Sequence, residues 1–338
     1  MRVHIDITDL LEFLIESDVL HGVQNVVFAV IKEAHRRQQP AVLIGLHPTY
    51  GRPFSVSVED LGSSSLEDVR EFKALFGLRD GLRPIKSPSA IRHRHPDRPA
   101  RRWFEHAKKL FRRETRRFRG PDAPIRMHRK LNRLELREGD AVLLPGLNIW
   151  YPEYNRRLGQ LCRARGARLV LVVHDLGPIT VPTFWPSSYC AAFQAWMESL
   201  FPHAALFVAV SEFTRNQLRT LPSAAKRPCV VNPLAHEFVS SDEVPPRQQI
   251  LEVAASNFVL CVGRIEPRKN VIGLLRVWGR LFAEFGNAMP ALVLAGRFNL
   301  ETDDFQKAIA EIGPAATRVK LLENLKFQLN YHYNISPN

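Results

Sequence analysis

Short, continuous apolar runs alternate with amphipathic stretches along most of this 338-residue chain, and that alternation constrains the fold more than any other feature. The runs are Val3 to Ile7, Ala41 to Leu46, Ala141 to Leu144, Arg168 to Val173, Ala205 to Val210, Cys229 to Val231, Phe258 to Val262, Ala291 to Ala295 and Arg318 to Leu322. Between them, Val23, Val26, Val27, Val30, Ile31 and Ala34 share one helical face, as do Leu274, Leu275, Val277, Trp278, Leu281 and Phe282. Strands that are apolar throughout, separated by helices, belong in parallel sheets covered on both faces. The chain is long enough for two such cores. The poorly patterned stretch Ala235 to Gln249, with Pro245 and Pro246 in it, reads as the link between them. The expectation is an α/β protein of two Rossmann-like, doubly wound domains, at about 1–235 and 250–338, facing a cleft.

One segment interrupts this order. Between Arg92 and Arg137, 17 Lys and Arg stand against 5 Asp and Glu, an excess that nearly equals the +13 formal charge of the whole chain. Within it Trp103, Ala107, Leu110, Phe111 and Phe118 recur at helical spacing, while Arg102, Lys108, Lys109, Arg112, Arg113, Arg116 and Arg117 fill most other positions. A basic amphipathic helix of this kind can rest on an anionic membrane surface, with Arg102, Trp103, Lys108, Lys109, Phe111 and Arg112 as contacts. A solvated insertion punctuated by Pro96, Pro99, Pro121 and Pro124 is the other reading. Nucleic acid is not expected, because no helix-turn-helix, zinc-finger or RNP-type pattern accompanies the charge.

Other classes fall away on local grounds. Asp6, Asp9, Glu12 and Glu16 break up the apolar N-terminal stretch, so neither a signal peptide nor a membrane span is expected there. Cys162, Cys190, Cys229 and Cys261 are far apart and form no C-x-x-C, which points to reduced thiols in a cytoplasm and to no metal site. No G-x-G-x-x-G follows the first run, which argues against a nicotinamide oxidoreductase.

In open parallel sheets, ligands bind beyond the carboxyl ends of the strands. There the chain places His174-Asp175, Ser211-Glu212-Phe213-Thr214, Gly263 to Asn270, and Gly296-Arg297. A strand-end His-Asp pair is most often structural. S-E-F-T reads equally as a helix N-cap followed by an acid.

At these residues the chain resembles the group 1 glycosyltransferases, glycosyltransferase family 4, which have the GT-B fold and include lipopolysaccharide and exopolysaccharide enzymes. HGVQNV (His21 to Val26), VVHDLGPITVP (Val172 to Pro182), AVSEFTRNQL (Ala209 to Leu218) and VLCVGRIEPRKN (Val259 to Asn270) carry the likeness, in family order with LVLAG and RVKLLENL. The resemblance implies transfer of a sugar, with retention, from a nucleoside-diphosphate sugar to a saccharide or lipid-linked acceptor in cell-surface polysaccharide synthesis, without a further cofactor. Arg264 and Lys269, with Gly263, match the diphosphate grip, on a turn whose helix, starting near Lys269, adds its dipole. His174 matches the family's position near the reacting sugar, with Asp175 setting its tautomer. Gly22 matches the glycine loop on the acceptor side, and Ser211 and Glu212 are carried as substrate-binding candidates. Asn25 departs from the arginine often found beside that glycine.

The family's P-S-x-x-E-G-F-G loop and E-x7-E pair have no counterpart after Leu322. The second domain is therefore expected to be incomplete, with about three strands and impaired transfer. The enzyme would sit in the cytoplasm, peripheral to the inner face of the membrane. The alternative is an inactive fragment or a non-enzymatic peripheral membrane protein.

Overall fold

The structure, a computed structural model, describes residues 1–20, 22–78, 125–234, 248–296 and 302–322. It divides into two compact units, Met1–Leu234 and Ala235–Asn338. The basic-helix residues Arg102, Trp103, Lys108, Lys109, Phe111 and Arg112 lie outside the described residues.

The first unit is built on an eight-stranded sheet of order β4-β3-β2-β1-β5-β6-β7-β8. Its strands are β1 (Val3–Asp6), β2 (Ala41–Leu46), β3 (Pro53–Ser57), β4 (Arg126–Met127), β5 (Ala141–Leu144), β6 (Arg168–Val173), β7 (Ala204–Ala209) and β8 (Cys229–Val231). The neighbours β2-β1-β5-β6-β7-β8 are parallel, and β3 and β4 continue the sheet antiparallel. Each face carries its own core. On one, the helices Thr8–Leu14, Val23–Arg36 and Val69–Leu75 bury Leu10, Val27, Ile31 and Phe72 against Ile5, Leu43 and Phe54. Phe28, Phe54, Phe72 and Phe76 meet there edge-on or tilted, with ring centroids 5.1 to 5.3 Å apart. Burying a ring of this size contributes about 2 to 3 kcal/mol, which makes the cluster a main fastener of this half. On the other face, helices Pro152–Ala164 and Ser187–Leu200 cover β5, β6 and β7 with Leu158, Phe193 and Trp196. The first begins at a proline, which suits a helix start because the missing N–H would have no partner there.

Two expectations need correction. The stretch 92–137 was read as one insertion outside the fold, yet 125–137 is part of it: Ile125 joins the first core, Arg126–Met127 extend the sheet, and Leu134 and Leu136 are buried in the second core. The link between units was set at Ala235 to Gln249, but helix Gln248–Ala254 already belongs to the second unit, where Val253 packs on the sheet.

That second unit has a three-stranded parallel sheet, order β11-β10-β9, with β9 at Phe258–Val262, β10 at Ala291–Ala295 and β11 at Val319–Leu322. Helices Val271–Phe285 and Thr302–Glu311 cover one face through Leu275, Trp278, Phe305 and Ala308. All five residues of central β10 are buried, as an apolar strand between two neighbours requires. Val259, Val262 and Leu321 on the flanking strands are exposed.

Candidate functional site

Each unit gathers polar and glycine residues at the carboxyl edge of its sheet, and the two edges differ in sign. In the first unit β1 runs into Asp6, Ile7, Thr8 and Asp9, and β5 into Pro145, Gly146, Leu147 and Asn148. Because β1 and β5 are neighbours, these turns interlock. Buried Asp6 accepts hydrogen bonds from the Thr8 N–H at 2.9 Å, the Asn148 amide at 2.9 Å and the Tyr154 hydroxyl at 2.6 Å. Burial pushes its pKa up in spite of those donors. The Asn148 side-chain oxygen in turn accepts the Asp9 N–H. Asp6 thus acts as a brace that fixes both turns.

Asp9 stands at the edge that this brace creates. Its carboxylate accepts from Gln24 at 3.1 Å, on the first turn of helix Val23–Arg36, and from the Leu147 N–H. Burial first, then the nearby Asp6, drives its pKa up to about 6, against the lowering effect of those two hydrogen bonds. A Cβ on Gly146 would lie 2.9 Å from the Asp9 carboxylate, so glycine is what allows the acid to approach. Gly22 caps the same helix at φ 53° and ψ −122°, a backbone region that L-residues avoid, and, its chain neighbours aside, no atom of the described residues lies within 4 Å of where its Cβ would be. The space in front of that turn is open.

His174, at the end of β6, joins this group through Pro145. Its Nε2 lies 2.8 Å from the Pro145 carbonyl oxygen, which can only accept, so Nε2 carries the proton and Nδ1 presents a lone pair. Burial lowers the imidazole pKa and keeps the ring neutral. Asp175 was expected to set this tautomer. It does not: its carboxylate accepts the Gly177 N–H at 3.0 Å, and the neighbouring strand's carbonyl does the setting. The structure therefore brings Gly22, Gln24, Asp9, Gly146 and His174 into one connected group.

Of the two readings that S-E-F-T allowed, the cap is the one displayed. Ser211 Oγ accepts the Thr214 N–H at 3.1 Å, and the Thr214 hydroxyl donates to the His174 carbonyl at 3.3 Å. Glu212 forms an i,i+3 ion pair with Arg215.

In the second unit the edge is cationic. Strand β9 ends at Gly263, with φ 145°, and β10 at Gly296, with φ 156°. A Cβ on Gly296 would fall 1.9 Å from the Gly263 carbonyl oxygen, so the two strand ends meet backbone to backbone. Beyond Gly263, the 3-10 turn Pro267–Lys269 folds the Lys269 side chain back until its Cε is 3.9 Å from the Gly263 Cβ position. Glu266 is held by Arg268 at 2.5 Å. Arg264 and Lys269 are exposed and have no ion-pair partner among the described residues. Helix Val271–Phe285 starts immediately after them, two residues later than the expected start near Lys269, behind Asn270 in the left-handed conformation. Two unneutralised cations, a bare glycine and a helix N-terminus form a setting for an anion. Among the described residues no group of three His, Cys, Asp or Glu side chains could hold a metal ion, and no helix is long and apolar enough to cross a membrane.

Asp9, Asn148 and Gly146 were missed at the level of sequence. The signal was present, because they follow β1 and β5 as His174 follows β6. The acids of the first stretch served only to exclude a leader peptide.

The chain thus has two α/β units, one on a mostly parallel sheet and one on a parallel sheet, each with polar residues at the carboxyl edge. It is similar to O-antigen chain mannosyltransferase B of Escherichia coli, to which it is 27% identical over 184 residues, across 52% of this chain and 44% of the relative. It thus spans less than half the length of that curated relative. Among solved structures it is similar to Anabaena Alr3699/HepE, whose crystal structure is a complex with UDP, at 12% identity and a TM-score of 0.44, covering 95% of this chain and 68% of that one. No family model matches the chain.

Proposed function

We propose that this chain is a nucleotide-sugar-dependent glycosyltransferase of cell-surface polysaccharide synthesis, acting on a saccharide or lipid-linked acceptor. The observation that carries the reading is the pair Arg264 and Lys269, unneutralised at the mouth of a strand–glycine–turn–helix. When a glycosidic bond to a nucleoside diphosphate breaks, negative charge grows on the departing diphosphate. Fixed cations and a helix N-terminus stabilise that charge where it develops. Gly263 keeps the approach clear for the phosphate oxygens.

The first unit supplies what an acceptor needs. Asp9, with a pKa near 6, is an acceptor for a sugar hydroxyl's proton or hydrogen bond close to neutral pH. Neutral His174 presents a lone pair to a hydroxyl without adding positive charge beside an oxocarbenium-like sugar.

The test is titration of the full chain with a panel of nucleoside diphosphates, beside its R264A/K269A variant. Two lost charge-assisted contacts should weaken binding by about a hundredfold. Undiminished affinity in the variant would refute the assignment. Transfer from radiolabelled nucleotide sugars then identifies the donor.

A further inference from the structure

The first unit has a recess on the other side of the sheet from helix Val23–Arg36, and its lining residue Tyr154 is the one that donates to Asp6. The chain leaving β4 turns at Arg129 and Lys130 into the short helix Leu131–Arg133, which runs beside helix Pro152–Ala164. Between them and the end of β2 lies a cavity of about 820 Å³. That is the size of a small-molecule site.

Its floor and its rim differ in chemistry. Leu46, Leu131 and Leu161 are half-buried there, at the margin of the core. Arg129, Lys130 and Arg157 are exposed around it, with Glu153 as the one acid. None of the three cations has a hydrogen-bonded or ion-paired partner among the described residues. Some other arginines of the unit are engaged, Arg126 with Glu135, Arg215 with Glu212, and Arg227 with the carbonyls of Ala204 and Pro202, while Arg133, Arg156 and Arg219 resemble the three in having no side-chain partner among the described residues; what sets the three apart is that they share one hollow. Three like charges around one hollow repel one another, and a bound anion would relieve that repulsion.

We propose that this groove binds one anionic amphiphile, its phosphate or diphosphate held by Arg129, Lys130 and Arg157 and the start of its apolar chain laid on the three leucines. A phosphate fits the two guanidinium forks and the ammonium. The leucine floor gives a free phosphate nothing but gives a lipid-borne one a place for its tail. A recess takes a single molecule, whereas a flat bilayer surface calls for protruding cations and aromatics. Nucleic acid would need exposed rings for stacking, and the tyrosines of the lining, Tyr151 and Tyr154, are buried. The proposal does not depend on the transferase reading.

The experiment is calorimetric titration of the full chain with dodecyl phosphate below its micelle concentration. The same-chain neutral amphiphile dodecyl maltoside, inorganic phosphate and an acidic peptide are run beside it. Dodecyl phosphate should bind at least tenfold tighter than each of these, and R129E/K130E/R157E, or R157E alone should the triple variant be unstable, should lose about tenfold or more. K108E/K109E/R112E and R264A/K269A should bind it as the parent does. Equal binding of the neutral amphiphile, of inorganic phosphate or of the peptide overturns the proposal. So does a charge-reversal variant that binds undiminished, or a loss confined to either control variant.

Discussion

The carboxyl edges of the two sheets were shaped from similar parts toward opposite electrostatic ends. In the first unit the edge holds acids and a neutral imidazole: Asp9 with its pKa near 6, Asp6 behind it, and His174 kept uncharged by burial. In the second it holds Arg264 and Lys269, with the nearby acid taken by Arg268. Glycines open both edges, Gly22 and Gly146 in one, Gly263 and Gly296 in the other. The difference teaches that a parallel α/β edge sets where chemistry can occur, while the few side chains past the glycines set its sign.

The sharpest way to break the comparison is through the glycines, since their roles are not equivalent. Gly296→Ala drives a methyl into a backbone oxygen and should unfold the second unit, at a cost upwards of about 4 kcal/mol in a denaturant melt. Gly22→Ala meets open space and should cost only the strain of its backbone conformation, about 1 to 3 kcal/mol. Similar losses for the two would mean that the strand ends of the second unit do not touch.

Asp9 tests whether the acidic edge is held at the expense of stability. Its pKa is higher in the folded chain, about 6, than the 3.8 of the free group, so the folded state binds the proton more tightly. That stabilisation is complete below about pH 3.8 and disappears as pH rises through 6. Asp9→Asn should therefore stabilise the first unit at pH 7.5 by about 1 to 2 kcal/mol, less than the full shift because Asn cannot accept from both Gln24 and Leu147. The gain should vanish near pH 4. A variant no more stable at pH 7.5 would show that the carboxylate is not desolvated.

The smallest effect is assigned to Ser211. Ser211→Ala removes a helix cap and should lower stability by about 1 kcal/mol, with nucleoside diphosphate affinity unchanged. A selective loss of substrate binding at full stability would restore the binding role that the sequence also allowed.

The parallel strands were legible as apolar runs, and β2, β5, β6, β8, β9 and β10 begin and end where those runs do. β3 was not, because Pro53–Ser57 buries Phe54 and Val56 and leaves Ser55 and Ser57 to the other side, a period-two pattern with only two large apolar residues. β4, two residues within a strongly basic stretch, left no pattern at all. For the site, the turn Gly263 to Lys269 could be read locally because all its parts are contiguous. The group around Asp9 could not, since its members meet only once β1 and β5 pair across more than a hundred residues of chain. The partner that sets the His174 tautomer was misplaced for the same reason: adjacency in sequence favoured Asp175, and sheet pairing delivered Pro145.

The two flanks of the stretch 79–124 end in the same place. Leu78 on one side and Ile125 on the other are buried in a single core, the one that holds Phe54, Phe72 and Phe76. Departure and return are thus both anchored in that core, and the entropy of closing a chain segment between fixed ends grows slowly with its length, about 0.6 kcal/mol per doubling. Because both anchors are held by the same buried rings, a change in the number of residues between them would leave the interior that supports the edge bearing Asp9 and His174 in place.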